Sequence, residues 1–481
     1  MKIPRNPTPV LAVLVASVAG VSGLVGTYWD DTWHTDRGRD TLLAPPHVVI
    51  YLSVLAALAA VAVLGRRPRG PAQRMALVGG AAVLASAPVD EAWHRGFGRD
   101  AVTWSPPHMV AVVASLMLAT GVLALAVGLP GRWGRAAQVL AAAAVIGVLQ
   151  VPVFELDSDV PQFPEWTYLP VAVVGWLLAT VLVRRLLPDR WSLIAATGIY
   201  TVIRVGITGL LAVLGHSATI VPPILILGVL HELVERTVRR RSVRLVVEAV
   251  GATVVWFAWL KAFGAATTAV PASALPAALA VAVLGAVGVA ALSHTGGWRR
   301  PRALPAGAVV LIVALGAVFS LAPVAGAHDP GQGRATRAAT LTADRLDETS
   351  VMVELDVDAE PCRDLIARRT TARRAGDTRS GPLEAAGPCR YRGVVEAEAG
   401  GRWFLYVELT ERDRRVELWV PLAGDETTAS VHRPLYEPPA RPSGGPQAIG
   451  GVVLYVAILG MLLFTVRSAA RIGPAASLGR A

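Results

Sequence analysis

Asp30-Asp31-Thr32-Trp33-His34-Thr35-Asp36-Arg37-Gly38-Arg39-Asp40, closed by Pro45-Pro46-His47, is the stretch on which the fold turns. It recurs as Asp90-Glu91-Ala92-Trp93-His94-Arg95-Gly96-Phe97-Gly98-Arg99-Asp100, closed by Pro106-Pro107-His108. The order is the same in both: Asp, a second acidic residue, Trp-His, Gly-Arg-Asp, Pro-Pro-His. The second copy is longer by a single residue, before its last histidine. Each copy lies between two apolar runs. The repeating unit is therefore a helical hairpin with a polar crown.

The spacing has a chemical meaning. Asp30 and His34 are four apart and share one face of a helix, as do Asp90 and His94. His47 and His108 follow Pro-Pro, where a new helix begins. Two imidazoles and a carboxylate can thus converge from the end of one helix and the start of the next. That set suits copper, zinc or iron. A carboxylate at a helix C-terminus is relieved by a bound cation, and a helix N-terminus favours the neutral, ligating form of His47. The plainer alternative is an interfacial aromatic belt with solvated charges. Faithful duplication of all three residue types favours ligand sets, because hairpin packing alone does not require them. Asp40 and Asp100, with Arg39 and Arg99, read as turns or as supports for the ligands. Trp33 and Trp93 read as belt residues.

Outward from the crowns, the chain is that of a polytopic membrane protein: 53% of its 481 residues are hydrophobic. About twelve spans of ~20 residues are expected. They fall at 9–29, 45–64, 75–93, 106–129, 136–155, 167–187, 192–214, 219–235, 244–262, 270–293, 305–326 and 448–466. The net charge of +10 is not a nucleic-acid signature. Its arginines cluster in every alternate loop and so set topology by the positive-inside rule. Both termini then face the cytoplasm, and both crowns and residues 327–447 face outward from a bacterial plasma membrane. Membrane lipid is the surrounding partner.

Arg204 sits mid-span and needs a partner, with Glu155 a candidate. The acidic loop with Glu155, Asp157, Asp159 and Glu165 reads as solvated, or as a cation-attracting vestibule. Glu232, Glu235 and Glu248 lie near inner-face arginines and suggest interfacial ion pairs.

Residues 327–447 form the one long polar segment. Runs at 350–356, 393–398, 403–409 and 415–420 have strand character and suggest an antiparallel β-sandwich. Cys362 and Cys389, the two cysteines, are expected to pair in an oxidising compartment. The Pro- and Gly-rich stretch 429–447 reads as a linker. His328 follows Ala325-Gly326-Ala327, which resembles a signal-peptidase site. Cleavage there would expose a histidine able to chelate copper, and an intact anchor is the alternative. Four parts follow: the tandem hairpins (1–130), a helical bundle (131–326), the outer domain (327–447) and a final helix with its tail (448–481).

Asp, four on to His, then thirteen or fourteen on to a second His, resembles the C subunit of the copper membrane monooxygenases, the particulate methane and ammonia enzymes. That subunit carries two neighbouring ligand sets on membrane helices near the outer face, one Asp-His-His and one with Asn for Asp. The match covers Asp30, His34 and His47, then Asp90, His94 and His108; here both sets carry Asp. The outer domain is more distantly similar to the family's B subunit, whose cupredoxin-like domains start His-Gly-Glu and use a His-x-His pair. Here the segment starts His328-Asp329-Pro330, and Ser430 precedes His432 where the pair would be. It is also similar to copper-handling proteins of the CopC/CopD type. The resemblance implies copper at both crowns and oxidation of a small substrate, with a reductase as partner. Copper acquisition or delivery with a chaperone partner, and an assembly role without metal turnover, remain the alternatives.

Overall fold

The computed structural model describes residues 8–37, 43–65, 70–97, 103–161, 163–217, 219–263, 270–293, 334–358, 362, 364–374, 377–424, 426–437 and 444–472. The long helices are α1 (Thr8–Arg37), α2 (Pro45–Val63), α3 (Pro71–Phe97), α4 (Pro106–Ala126) and α5 (Gly131–Gln150). After the one-turn α6 (Phe154–Asp157) come α7 (Tyr168–Leu186), α8 (Arg190–Val213), α9 (Ile224–Thr237), α10 (Arg241–Phe263) and α11 (Leu275–Ser293), and finally α12 (Gly444–Ile472). Among the described residues, ten helices are long and apolar enough to cross a membrane.

The expected twelve is corrected at one position. The span placed at 219–235 is a helix of 14 residues, about 21 Å at 1.5 Å per residue and short of a ~30 Å hydrocarbon core. Pro222-Pro223 delays its start to Ile224. The span at 305–326 lies outside the described residues.

α1 packs along α2, and α3 along α4, as two antiparallel hairpins beside α5. Pro-Pro opens both α2 and α4, where missing N–H groups cost nothing because the first turn's donors are unpaired anyway. The second hairpin is tight because two glycines let backbones touch. A Cβ at Gly79 would lie 2.5 Å from Leu118 N, and one at Gly121 would lie 2.5 Å from Ala76 N.

The strand domain is a closed barrel, not the expected sandwich. Its strands are β1 (Arg334–Arg345), β2 (Ser350–Val357), β3 (Leu365–Arg374), β4 (Asp377–Gly387), β5 (Arg390–Glu396), β6 (Trp403–Glu411), β7 (Arg414–Leu422) and β8 (Thr428–Glu437). The order is β1-β2-β5-β4-β3-β6-β7-β8, closed by antiparallel β1–β8 pairing such as Thr340↔His432. Closure leaves no edge strand. The linker expected from residue 429 is corrected too, since β8 runs through it to Glu437. Leu341, Val353, Leu355, Leu405, Val407 and Leu418 fill the interior. Cys362 and Cys389 are disulfide-bonded, with Cα atoms 5.3 Å apart.

The barrel rests on the same end of the bundle as the crowns. Val160, just after α6, sits among Phe404, Tyr406 and Trp419 on the barrel's outer surface. Around this apolar centre, Arg374 reaches Glu165 (3.0 Å), and Arg402 donates to Ser217 Oγ (2.8 Å) and lies 3.6 Å from Asp36. This docking explains why β6 is buried on both faces.

Candidate metal centre

The end of α1 and the start of α2 bring Asp30, His34 and His47 together. One ligand atom from each lies within 4.8 Å of the others, so the three could hold a metal ion. His47 Nε2 is 3.1 Å from Asp30 Oδ1, and His34 Nδ1 is 3.9 Å from Asp30 Oδ2. The imidazole rings are 6.2 Å apart, and the His47 ring also lies against Tyr51.

The donor set fits a cation. All three groups are half-buried, and Asp30 Oδ1 faces His47 Nε2 at 3.1 Å. An imidazole proton can bridge that pair, and a metal ion can take the proton's place with the carboxylate and both imidazoles as donors. Bond lengths of about 2.0–2.2 Å to nitrogen and oxygen require only a small contraction of this group.

The second crown repeats the central pair. Asp90 Oδ1 is 3.1 Å from His108 Nε2. His94 lies on α3 four residues beyond Asp90, but its side chain falls outside the described residues, as do Arg39, Asp40, Arg99, Asp100 and His328. Both crowns open onto one cavity of about 290 Å³. Asp30, His34, His47, Asp90 and His108 all line it, and so do Asp31 and Glu91. His108 lies close enough to act on the Asp30 charge. The part played by Asp31 and Glu91 was not anticipated, although the repeat held the signal: an acidic residue follows the ligand Asp in both copies.

The acidic loop is neither solvated nor a vestibule. Glu155, Asp157, Asp159 and Glu165 are 2%, 1%, 6% and 9% exposed. Glu155 accepts from Thr103 N–H (2.6 Å) and the Tyr168 hydroxyl (2.6 Å). Ser158 Oγ donates to Asp31. Arg204 pairs with Asp157 (3.6 Å), not with Glu155, donates to Ile220 O (2.9 Å) and stacks 3.7 Å over the Tyr28 ring. Asp159 accepts from Arg402 N–H (3.1 Å), with Arg374 3.9 Å away.

The tryptophans are not simply belt residues. Trp93 is buried against Gly450 on α12. Trp33 lies against His216, and Trp29 Nε1 donates to His216 Nε2 (3.0 Å). Nε2 is then the acceptor, so Nδ1 carries the proton toward Asp36, 3.2 Å away. At the opposite end, Glu235 joins Arg184 and Arg244, the ion pairing expected there; Glu248 is instead buried against His231 Nδ1 (3.0 Å) and Trp176 Nε1 (2.8 Å), and Glu232 is buried too. His432 lies outside the cavity lining; it neighbours Thr340 (3.1 Å) and Asp358 (3.6 Å) on the barrel.

The chain matches no protein-family model, no curated protein and no solved structure. The functional reading therefore rests on this geometry.

Proposed function

We propose that this is a copper-binding membrane protein that oxidises a small substrate in the cavity between its crowns. The observation that carries the reading is that the Asp30/His34/His47 group and the Asp90–His108 pair open onto one cavity. His94 completes the second set. Of the metals that suit this donor set, copper binds nitrogen ligands most tightly among the divalent first-row ions, and the spacing similar to the copper membrane monooxygenases points the same way. Bound there, copper supplies one-electron chemistry, so a reductase is the partner such a cycle requires.

The cavity wall supports oxidation over passage of an ion. Its lining extends along α1 from Asp30 to Ala16, about 21 Å of helix. The aspartate, glutamate and histidine side chains in it all belong to the crowns; deeper, Gly20, Val54, Ala57 and Val122 stand beside the hydroxyl residues Ser17, Ser53 and Ser115. A cation moving inward would meet hydroxyls there but no carboxylate or imidazole. We take the alternating arginine loops to face the cytoplasm, with the termini on that side and the crowns and the barrel outside.

Metal analysis tests the reading. After copper loading and a chelator wash, the wild type should hold two equivalents, His34→Ala one, and His34→Ala/His94→Ala none. Equal copper in the wild type and the double variant would leave the crowns as interfacial loops.

A further inference from the structure

The turn that delivers His108 into the cavity is held from outside itself. α4 opens on Pro106-Pro107, and Ser105 before it makes no side-chain cap. With no side-chain cap, that first turn leans on its neighbours. Thr103 N–H is bound by Glu155 Oε1 at 2.6 Å, and Trp104 Nε1 by Pro152 O at 2.9 Å. The Tyr455 hydroxyl of α12 donates to Trp104 O. Of these groups Glu155 alone is a carboxylate, and it is 2% exposed. Its second oxygen is held by the Tyr168 hydroxyl at 2.6 Å, so the carboxylate cannot swing.

We propose that Glu155 is a positioning residue for the second ligand set: it clamps the 103–105 turn and so sets how His108 faces Asp90. This rests on the copper reading above and adds to it a residue outside both crowns. The same short helix reaches the other hairpin, since Ser158 donates to Asp31, the neighbour of Asp30. α6 therefore sits as a wedge between the two sets. A backbone N–H bound by a buried carboxylate is a strong, directional restraint. Supports of this kind are worth about 10–100-fold in metal affinity.

The test uses full-length Glu155→Ala, Glu155→Gln and Tyr168→Phe, loaded with copper and washed as above. Stoichiometry, Cu(II) electron paramagnetic resonance and thermal unfolding are measured on each. Glu155→Ala should lose one equivalent and keep the other with its spectrum unchanged. Glu155→Gln retains an acceptor for Thr103 N–H and should keep both equivalents, one of them about 10-fold weaker and with an altered spectrum. Tyr168→Phe should shift the same signal less. Adding His108→Ala to Glu155→Ala should change nothing more. If Glu155→Ala fails to fold, the other two variants decide by the same signal. Two tight equivalents with wild-type spectra in Glu155→Ala, or in both Glu155→Gln and Tyr168→Phe, would overturn the proposal alone. So would equal loss from both sets. A wild type without copper would overturn the functional reading and this inference with it.

Discussion

Arg204 is wholly buried in α8, with Asp157 as its ion-pair partner and the Tyr28 ring beneath its guanidinium. The pair is worth less than its breakage costs, because either partner left alone is a buried charge. Arg204→Met should therefore destabilise the bundle by about 3–5 kcal/mol, read as a fall in thermal unfolding temperature. Arg204→Met with Asp157→Asn should recover much of that loss; no recovery would show that Asp157 is not the group left uncompensated. That Arg204 needed a partner was legible in the sequence, because an intramembrane charge is seldom alone. Which carboxylate it takes was not. Glu155 and Asp157 are two residues apart in a helical turn, about 200° around it, so they face opposite ways. One reaches the second crown and the other α8, and only the fold decides which.

α6 and the residues after it join the crowns, the bundle and the barrel, and they are where reading the sequence failed most. Four acids between residues 155 and 165 look like a solvated loop until their partners are known; three of them meet arginines, and Arg374 and Arg402 lie more than 200 residues further on. Burial pushes the Asp159 carboxyl up to about 7, against the pull of Arg374 and Arg402 and with Glu165 opposing ionisation. Undocked, an aspartate titrates near 4. The docked form thus holds a proton that the undocked form releases between about 4 and about 7. Docking is strongest below this window and weakens as pH rises through it. Hydrogen exchange over 402–408 should be faster at pH 8 than at pH 5.5 by more than its intrinsic pH dependence, and Asp159→Asn should remove that excess. A difference that persists in Asp159→Asn would assign it to another group. The barrel's strands were half legible for a related reason. β2, β5 and β7 alternate apolar residues in places, β6 opens on a continuous apolar run, and all four were found. β3 buries Thr370 and Thr371 among arginines, and β4 has Leu383 as its one buried residue, so neither has such a pattern. The disulfide was legible from the cysteine count and compartment alone. Cys362→Ser/Cys389→Ser should cost the barrel about 3–4 kcal/mol by opening a loop of roughly 27 residues, measured by denaturant unfolding.

For the whole molecule, the proposed orientation rests on what gathers at each end of the bundle. Crowns, acidic wedge and barrel share one end of the bundle, through Arg402–Asp36, Arg374–Glu165 and Val160 on β6 and β7. At the other end, Arg184 and Arg244 gather on Glu235, and Arg135 pairs with Asp189. Arginine-rich loops stay cytoplasmic because moving their charges across the bilayer is costly. We propose on this ground that the crowded end is the outer one, a compartment in which the barrel's disulfide would persist. Single cysteines can test this, since the native pair is already bonded. The inner probe must not strain the bundle. Gly134 would be a poor choice, because a Cβ there would lie 2.4 Å from Leu129 O, whereas Gly70 has open space around it. Leu43, between α1 and α2, and Thr427, at the barrel's rim, are exposed. In intact cells a membrane-impermeant maleimide should label Leu43→Cys and Thr427→Cys, and should label Gly70→Cys only after permeabilisation. Labelling of Gly70→Cys in intact cells, with protection of the other two, would turn the protein over. Both crowns would then open to the cytoplasm, where copper is held by chaperones and a barrel disulfide would not persist. The oxidation reading would lose its compartment even if both sets still bound metal.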